Sequence, residues 1–210
     1  MSQIEMTIER FFAKNPDVRE ARNKGLVNRR SLARYIAAEE KIPANKLGAI
    51  VMALRRHPME KEKTKDFKKF FKSMRTSAKD NICVISLKNS DAVIEKIARL
   101  VKSMNHGPNE TFKIVQGALS IKLFLDNSRL KQAKEYFQAG ELIEVHDNTG
   151  EINLTMPHEV MNTYGFISCI TSQLTISKIN ILEILTSTPE LLIYVHHSEL
   201  LRAYEAIKNM

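Results

Sequence analysis

Hydrophobic and polar residues alternate along residues 81–210 in two periods, and the same order of periods occurs twice. A two-residue period predicts a strand and a three- to four-residue period predicts a helix. The first copy predicts strands at 82–87, 111–117 and 119–126, helices at 90–104 and 127–138, and a further strand at Leu142–Val145. The second copy predicts strands at 151–156, 179–187 and 190–196 and helices at 160–175 and 197–208.

The two copies align without a gap when the chain is shifted by 70 residues. The shift places Ile121, Leu123, Leu125, Leu130 and Ala133 on Leu191, Ile193, Val195, Leu200 and Ala203. It also places Ile82–Ile85 on Ile152–Thr155, and Ile94, Ile97 and Val101 on Tyr164, Ile167 and Thr171. Agreement across five successive elements at one offset indicates an internal repeat.

Each copy reads strand, helix, strand, strand, helix, which predicts a ferredoxin-like βαββαβ sandwich with both helices on one face. We therefore expect an α+β protein with one repeat at 81–150 and another at 151–210. The second copy has no strand after its last helix, so one edge of its sheet is predicted to need cover. Leu142–Val145 is one candidate for that edge, and a partner chain is the other.

Residues 1–58 predict a domain of short helices with a helix-turn-helix-like layout. Segments 31–40 and 45–56 are joined by the residues K-I-P-A, after earlier helices at 4–13 and 16–24, the latter ending at Gly25. If the last helix reads DNA, its core face is Leu47, Ile50, Val51 and Leu54, and its outer face is Asn45, Lys46, Ala49, Met52, Ala53 and Arg56. Few of these outer residues can donate hydrogen bonds to bases, so sequence-specific readout is weakly supported.

Residues 59–80 predict a basic amphipathic linker helix, with Phe67, Phe70, Phe71 and Met74 at helical spacing. Such a charged face is most often simply solvated, and docking to a partner or a membrane surface is a further possibility. The alternative is phosphate contact. The candidate nucleic-acid residues are Arg29, Arg30, Asn45, Lys46, Arg55, Arg56, Lys68, Lys69 and Lys72.

Charge separates the two halves of the chain. The net charge is +8, with 20 Lys and Arg against 10 Asp and Glu in residues 1–80 and 12 against 14 in residues 81–210. Hydrophobic residues make up 43% and charged residues 27%, as in soluble globular proteins. Because the sequence shows neither a signal peptide nor an apolar run of membrane-spanning length, we expect a cytoplasmic protein without membrane contact.

The sequence contains none of the phosphate-binding, hydrolase, zinc or redox motifs that we sought, including G-x-x-x-x-G-K-[ST], G-x-S-x-G, H-E-x-x-H and C-x-x-C. Cys83 and Cys169 lie in apolar runs, where a free thiol packs as a small hydrophobic group. We therefore expect no catalysis, no cofactor and no metal.

The run from Tyr164 to Val195 resembles the ACT domain, and especially the regulatory region of aspartate kinases. The similarity rests on Gly165 at the start of a helix, on the strand sequence Ile179-Asn180-Ile181, and on the serine and threonine corner before the returning strand. It covers most of residues 151–208, and the repeat extends it to 81–150, although the first copy has neither the glycine nor the I-N-I sequence.

The resemblance implies a small effector, most often an amino acid, held where the first strand turns into the first helix and usually against a second ACT copy. A helix start also suits a carboxylate physically, because its first N–H groups are unpaired and carry partial positive charge. The candidate pocket residues are Asn162, Thr163, Tyr164, Gly165, Asn180, Ile181, Thr186 and Ser187. The alternative is that these residues serve only turns and packing, with Tyr164 in the core.

These features predict a non-enzymatic regulator that forms a homodimer through its ACT-like sheets. Its sensor would bind an amino acid or a related effector and control a basic module that binds duplex DNA. Two alternatives stay open. One is a regulatory subunit of an amino-acid biosynthetic enzyme such as an aspartate kinase, and the other is a structural dimerisation protein with no ligand.

Overall fold

The structure, a computed structural model, describes residues 2–58, 67–104, 107, 110–161 and 163–210. Its internal contacts divide the chain into two compact units, Met1–Lys65 and Asp66–Met210. Across the described ranges, no helix combines the length and the apolar character needed to cross a membrane.

The first unit, which we call the helical unit, contains four α-helices in its described part: α1 (Gln3–Lys14), α2 (Pro16–Asn23), α3 (Arg29–Glu39) and α4 (Leu47–Arg56). A short 3-10 turn, Ala44–Lys46, leads directly into α4, so four residues connect α3 to this helical segment. The first helix begins with a capping box between Ser2 and Glu5, and Asn28 caps α3. Buried aromatic and aliphatic side chains form the core, among them Phe11, Phe12, Leu32, Ile36, Ile50 and Leu54.

The second unit, which we call the repeat unit, alternates strands and helices. Its helices are α5 (Phe67–Ser73), α6 (Asp91–Ser103), α7 (Leu130–Tyr136), α8 (His158–Met161), α9 (Phe166–Ile176) and α10 (Leu200–Lys208). Its strands are β1 (Arg75–Lys88), β2 (Phe112–Gln116), β3 (Ser120–Asp126), β4 (Leu142–Thr155), β5 (Ile181–Ser187) and β6 (Glu190–His196). Short 3-10 turns at Asn127–Arg129 and His197–Glu199 lead into α7 and α10.

All six strands belong to one antiparallel sheet with the order β2-β3-β1-β4-β6-β5. Each half of this order is a ferredoxin-like repeat, so the α+β fold class with two such repeats is confirmed. One helix pair, α6 and α7, packs with the first half, and the other pair, α9 and α10, packs with the second.

The two repeats share their long central strands, which corrects the expectation of a missing strand. In β1, Arg75–Lys79 pairs with Glu151–Thr155 and supplies the fourth strand of the second repeat, while residues 82–88 form the first strand of the first repeat. In β4, residues 142–146 complete the first repeat in the same way. Neither Leu142–Val145 nor a partner chain is therefore needed at the second repeat, because the chain upstream of the first repeat provides its strand.

The linker helix predicted over residues 59–80 is also corrected. Residues 59–66 lie outside the described ranges, α5 is helical from Phe67 to Ser73, and Arg75 already begins β1. The residues after Ser73 become a strand because their backbone groups pair with β4. This long-range pairing overrides their local spacing.

The sheet curls so that the helix-free faces of its two halves meet. Three strand spacings separate β3 from β6, about 14 Å in a flat sheet, yet the ring centroids of Phe124 and Tyr194 are 4.5 Å apart. The bend coincides with irregular pairing of β1 and β4 between Lys79 and Val84. Asn81 lies there with φ of 59°, a left-handed conformation that asparagine tolerates better than most residues.

The 70-residue offset holds for only part of the repeat. It relates β3 to β6 and α7 to α10, but Ile82 and Thr149 occupy equivalent pairing positions opposite Asp126 and His196, an offset of 67. In the first helix of each repeat, the buried Val93 and Ile97 match Phe166 and Ile170, an offset of 73. The equivalences of Ile82 with Ile152 and of Ile94 with Tyr164 were therefore wrong. The segment between strand and helix is longer in the second repeat, where it includes α8.

Candidate functional site

The start of α9 is the first candidate site, and it presents backbone donors to solvent. Gly165 is the residue before the helix, with φ of 85°, a conformation that glycine adopts without strain. Among the described residues, no side chain caps this helix start, and its first turn contains no acidic residue. Gly165, Ile167 and Ser168 are exposed. The unpaired N–H groups and the helix dipole can therefore attract an anionic group here.

The equivalent helix of the first repeat, α6, has a side-chain cap at its start. The hydroxyl of Ser90 accepts a hydrogen bond from the backbone N–H of Val93, at 3.4 Å, and Asp91 places a carboxylate in the first turn of α6. These groups already satisfy the donors and the dipole that are open at α9. The asymmetry makes the second repeat the better candidate for an anionic ligand.

Two residues of the predicted pocket lie at the same end of the sheet as this helix start. Ser187 pairs with Glu190, and Glu190 pairs with Thr155 at the end of β4. The backbone N–H of Met156 donates to the carbonyl of Pro189, at 2.8 Å. Thr186 and Ser187 are therefore exposed at the end of the sheet where the chain leaves towards α9.

Asn180 and Ile181 lie at the opposite end of the sheet. Ile181 pairs with Val195, which pairs with Gly150, so five residues of β4 separate this position from Thr155. At about 3.3 Å per residue, the separation is about 17 Å. The structure therefore divides the predicted pocket: Thr163, Tyr164, Gly165, Thr186 and Ser187 share one end, whereas Asn180 and Ile181 do not. Asn162 lies outside the described residues.

The alternative that Tyr164 lies in the core is wrong, because its side chain is 78% exposed. The offset of 73 in this helix explains the error, because the core position belongs to Phe166, which is 3% exposed. Thr163 is half-buried, and its hydroxyl donates to the carbonyl of Glu159. Tyr164 is thus available at the surface beside the start of α9.

Aromatic side chains of α5 border one side of the α9 start. A Cβ added at Gly165 would lie 3.7 Å from the Cζ atom of Phe67, an ordinary van der Waals contact. The rings of Phe71 and Phe166 stack with centroids 5.5 Å apart. The apolar spacing of the segment predicted as a linker helix therefore packs α5 on the core of the second repeat.

The predicted nucleic-acid residues of the helical unit line separate clefts. Arg29 and Arg55 line one cleft, and Lys46 lines another together with Arg10 and Glu40. Arg56 lines a third cleft that includes Glu5 and Glu9. The exposed residues Arg30 and Asn45 line none of these three clefts.

Two details concern the predicted recognition helix, α4, and the basic helix α5. Ala53 was expected to face outward but is 7% exposed and belongs to the core of the helical unit. In α5, Lys72 is exposed, while the side chains of Lys68 and Lys69 lie outside the described part of the structure. Ala53 therefore contributes to the core of the helical unit and not to an outer reading face.

Sequence reasoning missed Arg22, a buried cation at the end of α4. The side chain of this residue donates to the carbonyl oxygens of Leu54 and His57, each at 2.8 Å, and so caps α4. Arg22 is 7% exposed, and burial lowers the pKa of its guanidinium, as do the nearby charges of Arg29 and Arg19. The available signal was its spacing of four residues from Val18, which places it on the inward side of α2.

Sequence reasoning also missed a polar network between the two halves of the curled sheet. The carboxylate of Glu151 accepts hydrogen bonds from Lys113 Nζ at 2.5 Å and from the Tyr194 hydroxyl at 2.6 Å. Lys122 on β3 forms an ion pair with Glu183 on β5. Burial raises the pKa of Tyr194, and the charge of Glu151 adds to this effect, so the phenol stays protonated and donates. No single strand shows this arrangement in its sequence.

Over the described ranges, no group of three or more His, Cys, Asp or Glu side chains is arranged to hold a metal ion. Cys83 is buried and Cys169 is half-buried, and the two cysteines do not form a disulfide.

The chain matches no family model and no curated protein. Its fold matches solved structures of aspartate kinases and of their regulatory parts. An aspartate kinase from Clostridium acetobutylicum is similar over 64% of this chain and 33% of that one, at 16% identity and a TM-score of 0.52. The present chain thus spans about a third of that enzyme.

Two further solved structures are matched over almost their whole length. The aspartokinase alpha and beta subunits match over 64% of this chain and 95% of that one, at 14% identity and a TM-score of 0.53. The regulatory subunit of aspartate kinase from Thermus thermophilus matches over 64% and 94%, at 13% identity and a TM-score of 0.52. At these identities the similarity is one of fold, and that fold is the ACT-type fold of aspartate kinase regulatory domains.

Proposed function

We propose that the chain is a non-enzymatic regulatory protein whose second repeat binds a small effector through an anionic group, such as the α-carboxylate of an amino acid. The main support is the exposed start of α9, which no side chain of the described residues caps, in contrast to the Ser90-capped start of α6. Thr186 and Ser187 lie at the same end of the sheet and can contribute hydroxyl groups. The fold shared with aspartate kinase regulatory domains agrees with this role.

A thermal-shift screen of the full chain with the twenty amino acids tests this proposal. A ligand at about 100 times its dissociation constant stabilises a protein by about 2.7 kcal/mol. For a unit of this size, we expect the melting temperature to rise by about 5 to 11 °C. If none of the twenty raises it, the amino-acid effector is refuted and the reading as a dimerisation protein without a ligand gains support.

A substitution in the first turn of α9 locates the site. Ser168→Glu places a carboxylate where the effector's carboxylate would bind, so it should stabilise the free protein slightly and abolish the ligand-induced shift. Ser172→Glu makes the same charge change at an exposed position further along α9 and should preserve the shift. If Ser168→Glu responds to the effector as the wild type does, the effector binds elsewhere.

The proposed output of the sensor is binding of duplex DNA by the helical unit, with two copies paired through their ACT-type repeats. The support is charge, because residues 1–58 contain 12 Lys and Arg against 6 Asp and Glu. DNA binding that depends on phosphate contacts should weaken steeply as salt is raised. A titration of full-length protein with duplex DNA at about 50 and 200 mM salt measures this, and binding that is absent at low salt contradicts it.

A second candidate is that the helical unit binds an enzyme of amino-acid biosynthesis. This reading is supported by the division of the basic residues among separate clefts, two of which also contain glutamates. It agrees with the matched structures, two of which are described as subunits of aspartate kinase. Effector-dependent inhibition of an aspartate kinase by the full chain, without DNA binding, would favour this candidate.

A further inference from the structure

One cleft of the helical unit has three arginines and no acidic residue among its described lining residues. The cleft has a volume of about 340 Å³ and is lined by Arg22, Gly25, Val27, Asn28, Arg29, Leu32, Leu54 and Arg55. It lies where the start of α3 meets the end of α4, because Arg29 begins the first of these helices and Arg55 is in the last turn of the second.

The charge of Arg22 is uncompensated by any carboxylate within the described part of the chain. Its guanidinium hydrogen bonds go to the neutral carbonyls of Leu54, His57 and Pro58 and to the ring of His57. A buried cation normally has an anionic partner, because removing a charge from water is costly. The guanidinium is instead 7% exposed and lies near the positive charges of Arg29 and Arg19.

The position of Arg29 is also unfavourable for the helix itself. Arg29 and Arg30 are the first two residues of α3, whose first turn contains no acidic residue. A cation at a helix N-terminus opposes the helix dipole and so lowers the stability of the helix. Local conflicts of this kind are typical of functional sites, where a ligand compensates for them.

We propose that this cleft binds the phosphate group of a phosphate ester. The guanidinium groups of Arg29 and Arg55 donate charge-assisted hydrogen bonds to the phosphate oxygens, and Arg22 adds positive potential from the floor of the cleft. The N–H groups of Arg30 and Ser31 already donate to the side chain of Asn28, so the arginine side chains, rather than the helix start, supply the binding. Val27, Leu32 and Leu54 give the remainder of the ester an apolar wall.

This site is independent of the effector site at α9, so the two proposals can fail separately. A phosphate ester can come from a phosphorylated small molecule or from a nucleic-acid backbone, and both present the same phosphate oxygens. The apolar wall of the cleft and the buried arginine at its floor favour the small molecule, since a duplex backbone phosphate reaches mainly exposed cations.

The test measures binding of inorganic pyrophosphate to the full-length protein by calorimetry at constant ionic strength. We expect saturable binding, weakened about tenfold or more by Arg29→Gln and by Arg55→Gln, because each loses a charge-assisted hydrogen bond. Arg34→Gln removes the same charge from the exposed side of α3, outside the cleft, and should bind as the wild type does. Circular dichroism checks that each variant is folded.

The proposal is overturned if pyrophosphate shows no saturable binding up to about 10 mM, or if Arg34→Gln weakens binding as much as the two cleft variants. In a second arm, a 20-base-pair duplex competes with pyrophosphate. Competition that is lost in Arg29→Gln identifies the nucleic-acid backbone as the source of the phosphate. Saturable pyrophosphate binding without competition identifies a small phosphorylated molecule.

Discussion

Replacing Glu151 by alanine should destabilise the repeat unit, because this side chain joins its two halves. Glu151 lies on β4 in the second repeat, and its two partners, Lys113 on β2 and Tyr194 on β6, come from different repeats. Its side chain is 7% exposed, whereas that of Lys113 is 30% exposed. The substitution leaves the fully buried hydroxyl of Tyr194 without this acceptor and removes the ion pair of Lys113.

The magnitude follows from the two groups left behind. A buried hydroxyl without a partner costs about 1 to 3 kcal/mol. Lys113 is already partly hydrated, so the loss of its ion pair costs about as much as the loss of a surface ion pair, at most about 1 kcal/mol. We expect a loss of about 3 kcal/mol in the free energy of unfolding, equivalent to about 6 to 12 °C in melting temperature.

Urea unfolding followed by near-ultraviolet circular dichroism of tyrosine measures this loss. Four of the five tyrosines, Tyr136, Tyr164, Tyr194 and Tyr204, belong to the repeat unit, so the signal reports mainly on that unit. Glu144→Ala is a matched control on the same strand, because that side chain is 59% exposed and should change stability by less than about 0.5 kcal/mol.

A double-mutant cycle with Lys113→Met completes the experiment. Because the two residues share one partly buried ion pair, the combined loss should be smaller than the sum of the single losses by about 0.5 to 1 kcal/mol. Additive losses, or a Glu151→Ala variant as stable as Glu144→Ala, would show that the network does not join the two repeats.

Three further predictions concern packing, pH and reactivity. In Gly150→Ala, the new Cβ would approach Leu200 Cδ1 and Cδ2 to 2.7 Å, so we expect a loss of about 1 to 3 kcal/mol in urea unfolding, and an unchanged midpoint would contradict this packing. Burial tends to raise the pKa of Asp126, but hydrogen bonds from Lys79 and the Thr111 N–H outweigh it and hold that pKa below its ordinary value. The stabilisation from the ionised carboxylate is therefore present above the unfolded pKa of about 3.9 and is lost as the pH falls through the folded value. The stability difference between wild type and Asp126→Asn should therefore close as the pH falls below about 4. Burial raises the pKa of the Cys83 thiol to about 11, so at about pH 8 a disulfide reagent should modify half-buried Cys169 first, and faster reaction at Cys83 would contradict its burial.

Sequence periodicity predicted the strands and helices of each repeat because every element carries its own apolar spacing. The alternation of Ile121, Leu123 and Leu125 places all three in the core of the first repeat, and Leu191, Ile193 and Val195 do the same in the second. A single offset failed for the first helix, because the segment before it is six residues longer in the second repeat and the segment after it is three residues shorter. Tyr164 was misplaced for that reason.

The candidate effector site was predicted in part. Gly165 marks a left-handed residue at a helix start, and that property is local, so the sequence indicates it directly. The distance between Asn180 and Gly165 depends instead on which end of the sheet each element occupies. The I-N-I sequence resembles a family motif, but the strand pairings place it about 17 Å from the end of β4 where the chain leaves towards α9.

The sequence by itself determined the order of the elements, the repeat and the charge difference between the two halves, since these depend on neighbouring residues. Only the tertiary structure decided that Arg75–Lys79 completes the second repeat, because this pairing joins segments more than 70 residues apart and leaves no mark on local periodicity. The tertiary structure also decided the curl of the sheet, the burial of Glu151 and the cleft around Arg22. Each requires side chains from elements distant in the chain to meet, and free energy gained between such elements is absent from any short stretch of sequence.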